Sequence, residues 1–116
     1  MPRYAALIYT SEASAPAPNS PDMQKLHQAY GAYTEEIMKT GIMKGGDALL
    51  PSAMATTVRV RDGKTLTTDG PFAETKEQLG GFYLFDCKDL DEAINWAAKI
   101  PGASHGSIEV RPILEM

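Results

Sequence analysis

The chain has 116 residues, a formal net charge of −4, and 43% hydrophobic and 22% charged residues. These values are typical of a single globular domain, residues 1–116, that buries a core without a disulfide or metal, and the acidic charge argues against a nucleic-acid partner. No apolar run is long enough for a membrane span, the N-terminus lacks a signal-peptide pattern and Cys87 is the only cysteine, so we expect a cytoplasmic protein without membrane contact.

The first third of the chain predicts a strand, a loop and a helix. Residues 4–9 form a short aromatic and apolar segment with apolar side chains on both alternating faces, which is typical of a covered strand. Residues 11–21 are rich in Ala, Ser and Pro and predict a loop. Ser20 and Pro21 are typical of a helix start, and apolar residues in 23–37 recur at spacings of three and four, which predicts an amphipathic helix.

The middle of the chain predicts a hairpin between two strands. Residues 45–50 indicate a short strand that Pro51 ends. Residues 56–61 alternate polar and apolar side chains, and Asp62-Gly63 is a strong hairpin signal that makes residues 64–68 the returning strand.

The last third predicts a central strand, a second helix and a final strand. Residues 81–85 are again apolar on both faces. Asp89 and Glu92 have the spacing of a capping box, with Glu92 reaching back to the cap residue, and the helix they begin ends at Pro101. Residues 107–113 alternate and form the last strand.

This order predicts an α+β fold in which two helices cover one face of an antiparallel sheet. Residues 4–9 and 81–85 carry apolar side chains on both faces, whereas the sequence has no third helix for the second face. We therefore predict a homodimer in which a second copy covers that face.

Residues 69–77 place a turn next to several ionisable side chains, and two interpretations of this corner stay open. In the first, Asp69 and Pro71 shape a turn, Phe72 packs into the core and the charges of Glu74 and Lys76 are solvated. In the second, Asp69 ends a strand and points into a cavity whose charge Glu74 or Lys76 sets.

Arg111 and Glu109 lie two residues apart on the same face of the last strand. They form either a structural ion pair at the dimer interface or, with Lys76, a site for a carboxylate or phosphate ligand.

Two side chains of the first helix are further candidates. Tyr30 lies on its apolar stripe, and its hydroxyl either packs or donates to a ligand. His27 lies at the margin of that stripe, where a histidine is either a packing or surface residue or a group that lines a cavity. Two distant histidines and one cysteine give no metal-ligand pattern, and no phosphate-binding loop or nucleophile elbow is present, so we expect neither metal nor cofactor.

The segment DGPFAETKEQLGGFYLF, residues 69–85, resembles the DGPF branch of the YCII-related (YciI-like) proteins. Residues 41–49, 91–97 and 109–112 are similar to further segments of that family, so the resemblance covers nearly the whole chain apart from residues 11–21. It implies a ferredoxin-like fold that forms a dimeric α/β barrel with small ligands between the sheet and its helices.

The resemblance also has implications for chemistry and partners. Some YciI-like enzymes are similar to dehydrochlorinases and use a His–Asp pair, but Tyr30 and Ile100 occupy those two positions here. Members of the DGPF branch are associated with extracytoplasmic-function sigma factors, which implies a regulatory protein partner.

Two functional hypotheses follow. In the first, the protein binds a small organic molecule in a polar cavity lined by Asp69, Glu74, Lys76 and Arg111, with Tyr30. If it is an enzyme, the expected reaction is metal-free proton abstraction or elimination of the lyase or isomerase type, with Asp69 as the base and Lys76 or Arg111 holding the developing oxyanion. In the second, the protein is a non-catalytic accessory of a sigma factor or another transcription regulator. Burial of Lys76 and Arg111 together would favour the first hypothesis, and their exposure would favour docking or mere solvation.

Overall fold

The computed structural model describes residues 2–115, which form six strands and two α-helices. The elements are β1 (Arg3–Thr10), α1 (Pro21–Met38), β2 (Met43–Ala48), β3 (Thr56–Arg61), β4 (Lys64–Asp69), β5 (Gln78–Asp86), α2 (Leu90–Ala98) and β6 (Ser107–Pro112). Short 3-10 turns occupy Glu12–Ser14, Ser52–Met54 and Pro101–Ser104. No helix in this described part is long and apolar enough to cross a membrane.

Four strands form an antiparallel sheet in the order β2-β5-β1-β6. Both helices pack on one face of it, as the shared core of sheet and helix side chains shows. The predicted α+β architecture with an antiparallel sheet is therefore confirmed, although the sheet of the single chain is open and does not close into a barrel.

The predicted helix caps are present, with one correction. The Ser20 hydroxyl accepts a hydrogen bond from the Met23 N–H at 3.1 Å, and the Asp89 carboxylate accepts one from the Glu92 N–H at 2.9 Å. The Glu92 carboxylate, however, accepts from the N–H of Lys88 at 3.0 Å, one residue before the cap that we predicted as its partner. Each helix start is thus stabilised by a side chain that satisfies an otherwise unpaired N–H.

The core lies between the helices and one face of the sheet. The sheet contributes alternate residues of its two central strands, and the helices contribute their buried stripes. Tyr33 ties the layers together because its ring packs on Tyr83, with centroids 5.3 Å apart, while its hydroxyl donates to the Trp96 carbonyl at 2.9 Å. The buried residues of this core are Tyr4, Ala6, Ile8, Tyr33, Ile37, Tyr83, Phe85, Cys87, Ala93, Ala97 and Ile100.

The other face of the sheet, which we call the open face, has no helix over it. The registers place Leu7 beside Phe82 and Ala5 beside Leu84, and all four side chains point away from the helices. The charged residues of β6, Glu109 and Arg111, continue this face toward the sheet edge. In the described chain nothing packs over this largely apolar strip.

Strands β3 and β4 form a separate two-stranded sheet, which we call the arm (Thr56–Asp69). The predicted hairpin turn is confirmed, since Asp62 and Gly63 both have positive φ, 51° and 74°, as a type I′ turn requires. The arm makes few contacts with the other elements. It extends the molecule to a radius of gyration of 16.1 Å, against about 13 Å for a compact chain of this length.

The Asp-Gly-Pro-Phe motif ends the arm. Gly70 has φ +98°, a conformation that glycine adopts without strain, and its N–H donates to the Ala55 carbonyl at 2.7 Å. The Thr57 hydroxyl donates to the Gly70 carbonyl at 2.9 Å. The interpretation that Phe72 packs into the core is wrong: its side chain is 79% exposed, because the loop that carries it lies at the arm base and not over the core.

Hydrogen bonds from the loop after β1 fix the arm base. The Glu12 carboxylate accepts from the Ser52 N–H at 2.8 Å and from the Ser52 hydroxyl at 2.6 Å. The Glu12 N–H donates to the Gln78 side-chain oxygen at 2.9 Å, and the Gln78 amide donates to the Thr75 carbonyl at 2.6 Å. The entry to the arm and its exit are thereby tied to the same loop.

Candidate ligand-binding cleft

A cleft of about 550 Å³ opens between α1 and the strands β2 and β5, on the helix side of the sheet. Its volume lies within the range of about 300–1,000 Å³ that small-molecule sites occupy. Helix α1 supplies one wall with Leu26, His27, Tyr30 and Thr34. The strands supply the floor and the opposite wall with residues that include Ile8, Thr10, Met43, Gly46, Asp47, Ala48, Gly81, Phe82 and Tyr83.

Glycines shape the floor of the cleft. A side chain at Gly46 would place its Cβ 2.6 Å from the Phe82 carbonyl oxygen, and one at Gly81 would place it 2.9 Å from the Asp47 carbonyl oxygen. Both distances are too short for a real Cβ contact, so glycine at these two positions lets β2 and β5 pair closely. Around these two glycines the floor therefore consists of backbone and the Tyr83 ring.

The Tyr30 hydroxyl is the best-positioned polar group of the wall. It accepts a hydrogen bond from the Gly102 N–H at 3.1 Å, which leaves its own O–H to donate to a ligand. Burial raises the pKa of Tyr30, so the hydroxyl stays protonated at neutral pH. Gly102 allows this approach, since a Cβ there would lie 2.8 Å from the Tyr30 oxygen.

Further polar side chains surround the same space. The hydroxyls of Thr34 and Tyr83 lie 3.3 Å apart and share one hydrogen bond. His27 on α1 and His105, which follows the 3-10 turn Pro101–Ser104, also line the cleft. Imidazole is the side chain that most often acts as a general acid or base, so the cleft holds groups that can bind a hydroxylated molecule and move a proton.

A larger groove of about 800 Å³ runs along the other side of α1, and it is the weaker candidate. Two of its charged groups compensate each other: Lys99 forms an exposed ion pair with Glu36 at 3.1 Å, and its ammonium lies 4.6 Å from the centre of the Trp96 ring. These contacts explain the charges of Lys99 and Glu36 structurally, without a ligand; Asp22 and Lys25 also line the groove.

Comparison with known proteins identifies the family. A model of the YCII-related domain matches residues 2–116. The chain belongs to the YCII-related family. An uncharacterised protein of Rhizobium meliloti (strain 1021) is 40% identical over 112 residues, which cover 95% of this chain and 90% of that relative.

Of the residues that the sequence grouped in one polar cavity, the YCII-related chain carries Tyr30 in its cleft, together with the further candidate His27. Asp69 is the exposed last residue of the arm, and Glu74 and Lys76 are exposed on the loop that follows. Arg111 lies on the open face of the sheet. These four residues line neither this cleft nor the groove on the other side of α1, and they do not lie with Tyr30.

The Arg111 guanidinium is instead bonded to its neighbour. It donates to the Glu109 carboxylate, and that hydrogen bond and the negative charge of Glu109 raise the pKa of Arg111. The side chains of Arg111 and Glu109 are 66% and 42% exposed in the single chain. The geometry is that of the structural ion pair, one of the two interpretations of this strand.

The sequence interpretation missed several residues of the cleft. His105, Thr10 and Thr34 come from three separate segments, and no local pattern links them. Thr34 has a recoverable signal, since it lies one turn after Tyr30 on the same helix, whereas His27 was already a candidate from the sequence. Among residues 2–115, no group of three or more His, Cys, Asp or Glu side chains could hold a metal ion.

Proposed function

We propose that this protein binds a small organic molecule in the cleft between α1 and the strands β2 and β5. The observation that carries the proposal is the convergence of hydroxyl and imidazole groups on one concave space with an apolar and aromatic floor. Such a combination is typical of small-molecule sites, in which apolar surface gives affinity and a few polar groups give orientation.

The charge of the lining supports an uncharged, hydroxylated ligand. No lysine or arginine is among the described lining residues, and the one carboxylate residue, Asp47, pairs with Phe82, so its side chain lies on the open face of the sheet. An anionic ligand would therefore find no lysine or arginine in the cleft to pair with. The lysine- and arginine-based anion site considered from the sequence is therefore not part of the proposal.

Proton abstraction or elimination in this cleft would use His27 as the base. The Tyr30 hydroxyl would donate to the oxygen on which negative charge develops, because a preoriented donor stabilises an oxyanion. Asp69, the base that we inferred from the sequence, lies outside the cleft at the end of the arm.

We also propose that the sheet is ferredoxin-like and pairs through its open face with the sheet of a second copy, to give a dimeric α/β barrel. The strand order β2-β5-β1-β6 and the uncovered apolar strip around Leu7, Phe82 and Leu84 support this arrangement. The ligand cleft lies on the opposite, helix-covered side, so each copy would keep its own cleft.

Thermal-shift measurements on a library of neutral and anionic metabolites test the ligand site. We expect a neutral hydroxylated compound to stabilise the native protein. Tyr30→Phe removes the donor and Ala48→Trp fills the cleft, so both variants should lose the shift, whereas Lys76→Ala should keep it. The proposal is wrong if the only stabilising compounds are anions, or if Lys76→Ala abolishes the shift and Ala48→Trp does not.

A docking function with a transcription regulator is the second candidate. The observation in its favour is that the side chains of Lys76 and Arg111 are both exposed in the single chain. Calorimetric titration with a purified extracytoplasmic-function sigma factor from the same organism tests it. Binding that Lys76→Glu weakens at least tenfold would support docking, and heat equal to that of dilution would exclude this partner.

A further inference from the structure

The arm is a hairpin without structural support of its own. A two-stranded hairpin is marginally stable at best in water and usually needs a third strand or a packed layer. Strands β3 and β4 pair only with each other, and neither joins the four-stranded sheet. Beyond the hydrogen bonds at its base, the ladder from Thr56–Asp69 to Arg61–Lys64 has no third strand among the described residues, which favours contact with something outside the chain.

The two faces of the arm differ in character. The register places Val58 opposite Thr67 and Val60 opposite Thr65 on one face, which we call the valine face. The two valine side chains are 61% and 60% exposed in the single chain. Four β-branched residues on one side of a hairpin are typical of a packed surface rather than of a solvated one.

The opposite, basic face of the arm cannot pack in the same way. It carries Arg59 and Leu66, with Arg61 directly opposite Lys64. Like charges in cross-strand positions destabilise a hairpin, and burying them would add a desolvation cost. The valine face is therefore the one that packs, and the basic face remains at the rim of the contact.

The solvent-accessible surface of the chain is larger than that of a compact monomer of the same mass. The surface is 8117 Å², whereas a compact monomer of this 12.6 kDa mass exposes about 6,200 Å². The excess of about 1,900 Å² exceeds the roughly 800 Å² per partner of a standard interface and falls in the range of obligate homodimers. The arm and the open face of the sheet are two uncovered surfaces that contribute to this excess.

A second copy of the chain is the partner that matches both uncovered surfaces. The chain itself carries an apolar strip on the open face and a valine face on the arm, so a twofold arrangement buries both on each copy. The concave junction at the arm base joins the two surfaces, since it is lined by Tyr9 and Leu79 of the sheet as well as by Met54 and Phe72.

We propose that the arm packs its valine face against the open face of a second copy of this chain, so that each copy embraces the other. This inference rests on the sheet-to-sheet dimer proposed above and adds the element that holds it together. Without the arm, the two sheets would pair only through the apolar strip of the open face, which charged residues flank on both sides.

Sedimentation equilibrium of the native protein and of two variants tests the arm. We expect the native chain to sediment at twice its 12.6 kDa mass. The double variant Val58→Lys with Val60→Lys should raise the dimer dissociation constant at least about 100-fold, because each valine contributes a buried apolar side chain in both copies. Leu66→Lys, on the basic face of the same arm, should change it less than about threefold, as rim substitutions do.

Limited trypsin digestion of the native protein gives an independent reading, since it needs no substitution. Cleavage after Arg59 should be slow at concentrations where the dimer predominates and should accelerate on dilution. Circular dichroism of each variant verifies that the fold is retained.

The possible outcomes distinguish the role of the arm from the existence of the dimer. A native dimer that the valine variant leaves intact overturns the role of the arm while the sheet-to-sheet dimer stands. A native monomer, or equal weakening by the valine variant and by Leu66→Lys, overturns the arm proposal, and the monomer overturns the dimer as well. Neither result bears on the ligand cleft, which thermal shifts test separately.

Discussion

Removing the Glu12 carboxylate should destabilise this protein by about 2 kcal/mol, because Glu12 is the residue that fixes the arm base. Its two oxygens accept from the N–H and the hydroxyl of Ser52 at 2.8 and 2.6 Å. Hydrogen bonds to charged groups contribute roughly 1.5–3 kcal/mol each, and partial exposure at this site reduces the sum to about 2 kcal/mol for Glu12→Ala.

A double-mutant cycle with Ser52 isolates the contribution of the hydroxyl. Ser52→Ala removes only the hydroxyl bond, so we expect a loss of about 1 kcal/mol. The double variant should lose about 2 kcal/mol rather than 3, which gives a coupling energy of about 1 kcal/mol. Glu74→Ala is the matched control, since this exposed carboxylate lies near the arm base and should change stability by less than about 0.5 kcal/mol.

Urea unfolding at one fixed protein concentration measures these differences. With a slope of about 1.5 kcal/mol per molar, a loss of 2 kcal/mol lowers the midpoint by roughly 1.3 M. A coupling energy below about 0.3 kcal/mol would show that Glu12 and Ser52 act independently. The bond from the Ser52 hydroxyl to Glu12 would then not contribute to holding the arm base, and our account of that contact would be refuted.

Two glycine substitutions and the single cysteine give equally direct tests. Gly46→Ala should destabilise the protein by about 2 kcal/mol or more, because its Cβ would lie 2.6 Å from the Phe82 carbonyl oxygen. Gly31→Ala, with open space around it in α1, should stabilise the protein by roughly 0.5–1 kcal/mol. Melting temperatures that shift in the same direction in both variants would contradict this. Burial, with nearby carboxylates, raises the pKa of the Cys87 thiol from 9.0 to about 11, so the thiol should resist labelling at pH 8 until the protein unfolds. Because the raised pKa belongs to the folded state, the protonated thiol contributes its full stabilisation below pH 9. The free energy of unfolding should then fall by an amount on the order of 2–3 kcal/mol as the pH rises to 11. A Cys87→Ala variant that shows the same alkaline loss of stability would disprove this.

The candidate site shows where local patterns stop being informative. Tyr30 was recoverable because its place on a helical stripe depends only on its neighbours along α1. Asp69 and Lys76, which we grouped with it in one cavity, lie apart from it in the single chain, since a turn next to charges does not reveal whether its loop folds over the core or out along an arm. His105 joins His27 in the cleft although 78 positions separate them, and only the folded chain determines such a pair.

By itself, the sequence determined the secondary structure, the caps, the hairpin turn and the family, because each depends on residues within a few positions of one another or on a continuous motif. The tertiary structure alone decided that the arm stands away from the sheet, that Phe72 is exposed and that the cleft forms beside α1. The physical reason is range: hydrogen bonds in a helix or hairpin join near neighbours. The packing of α1 on β2 and β5 depends instead on shapes and volumes from across the whole chain.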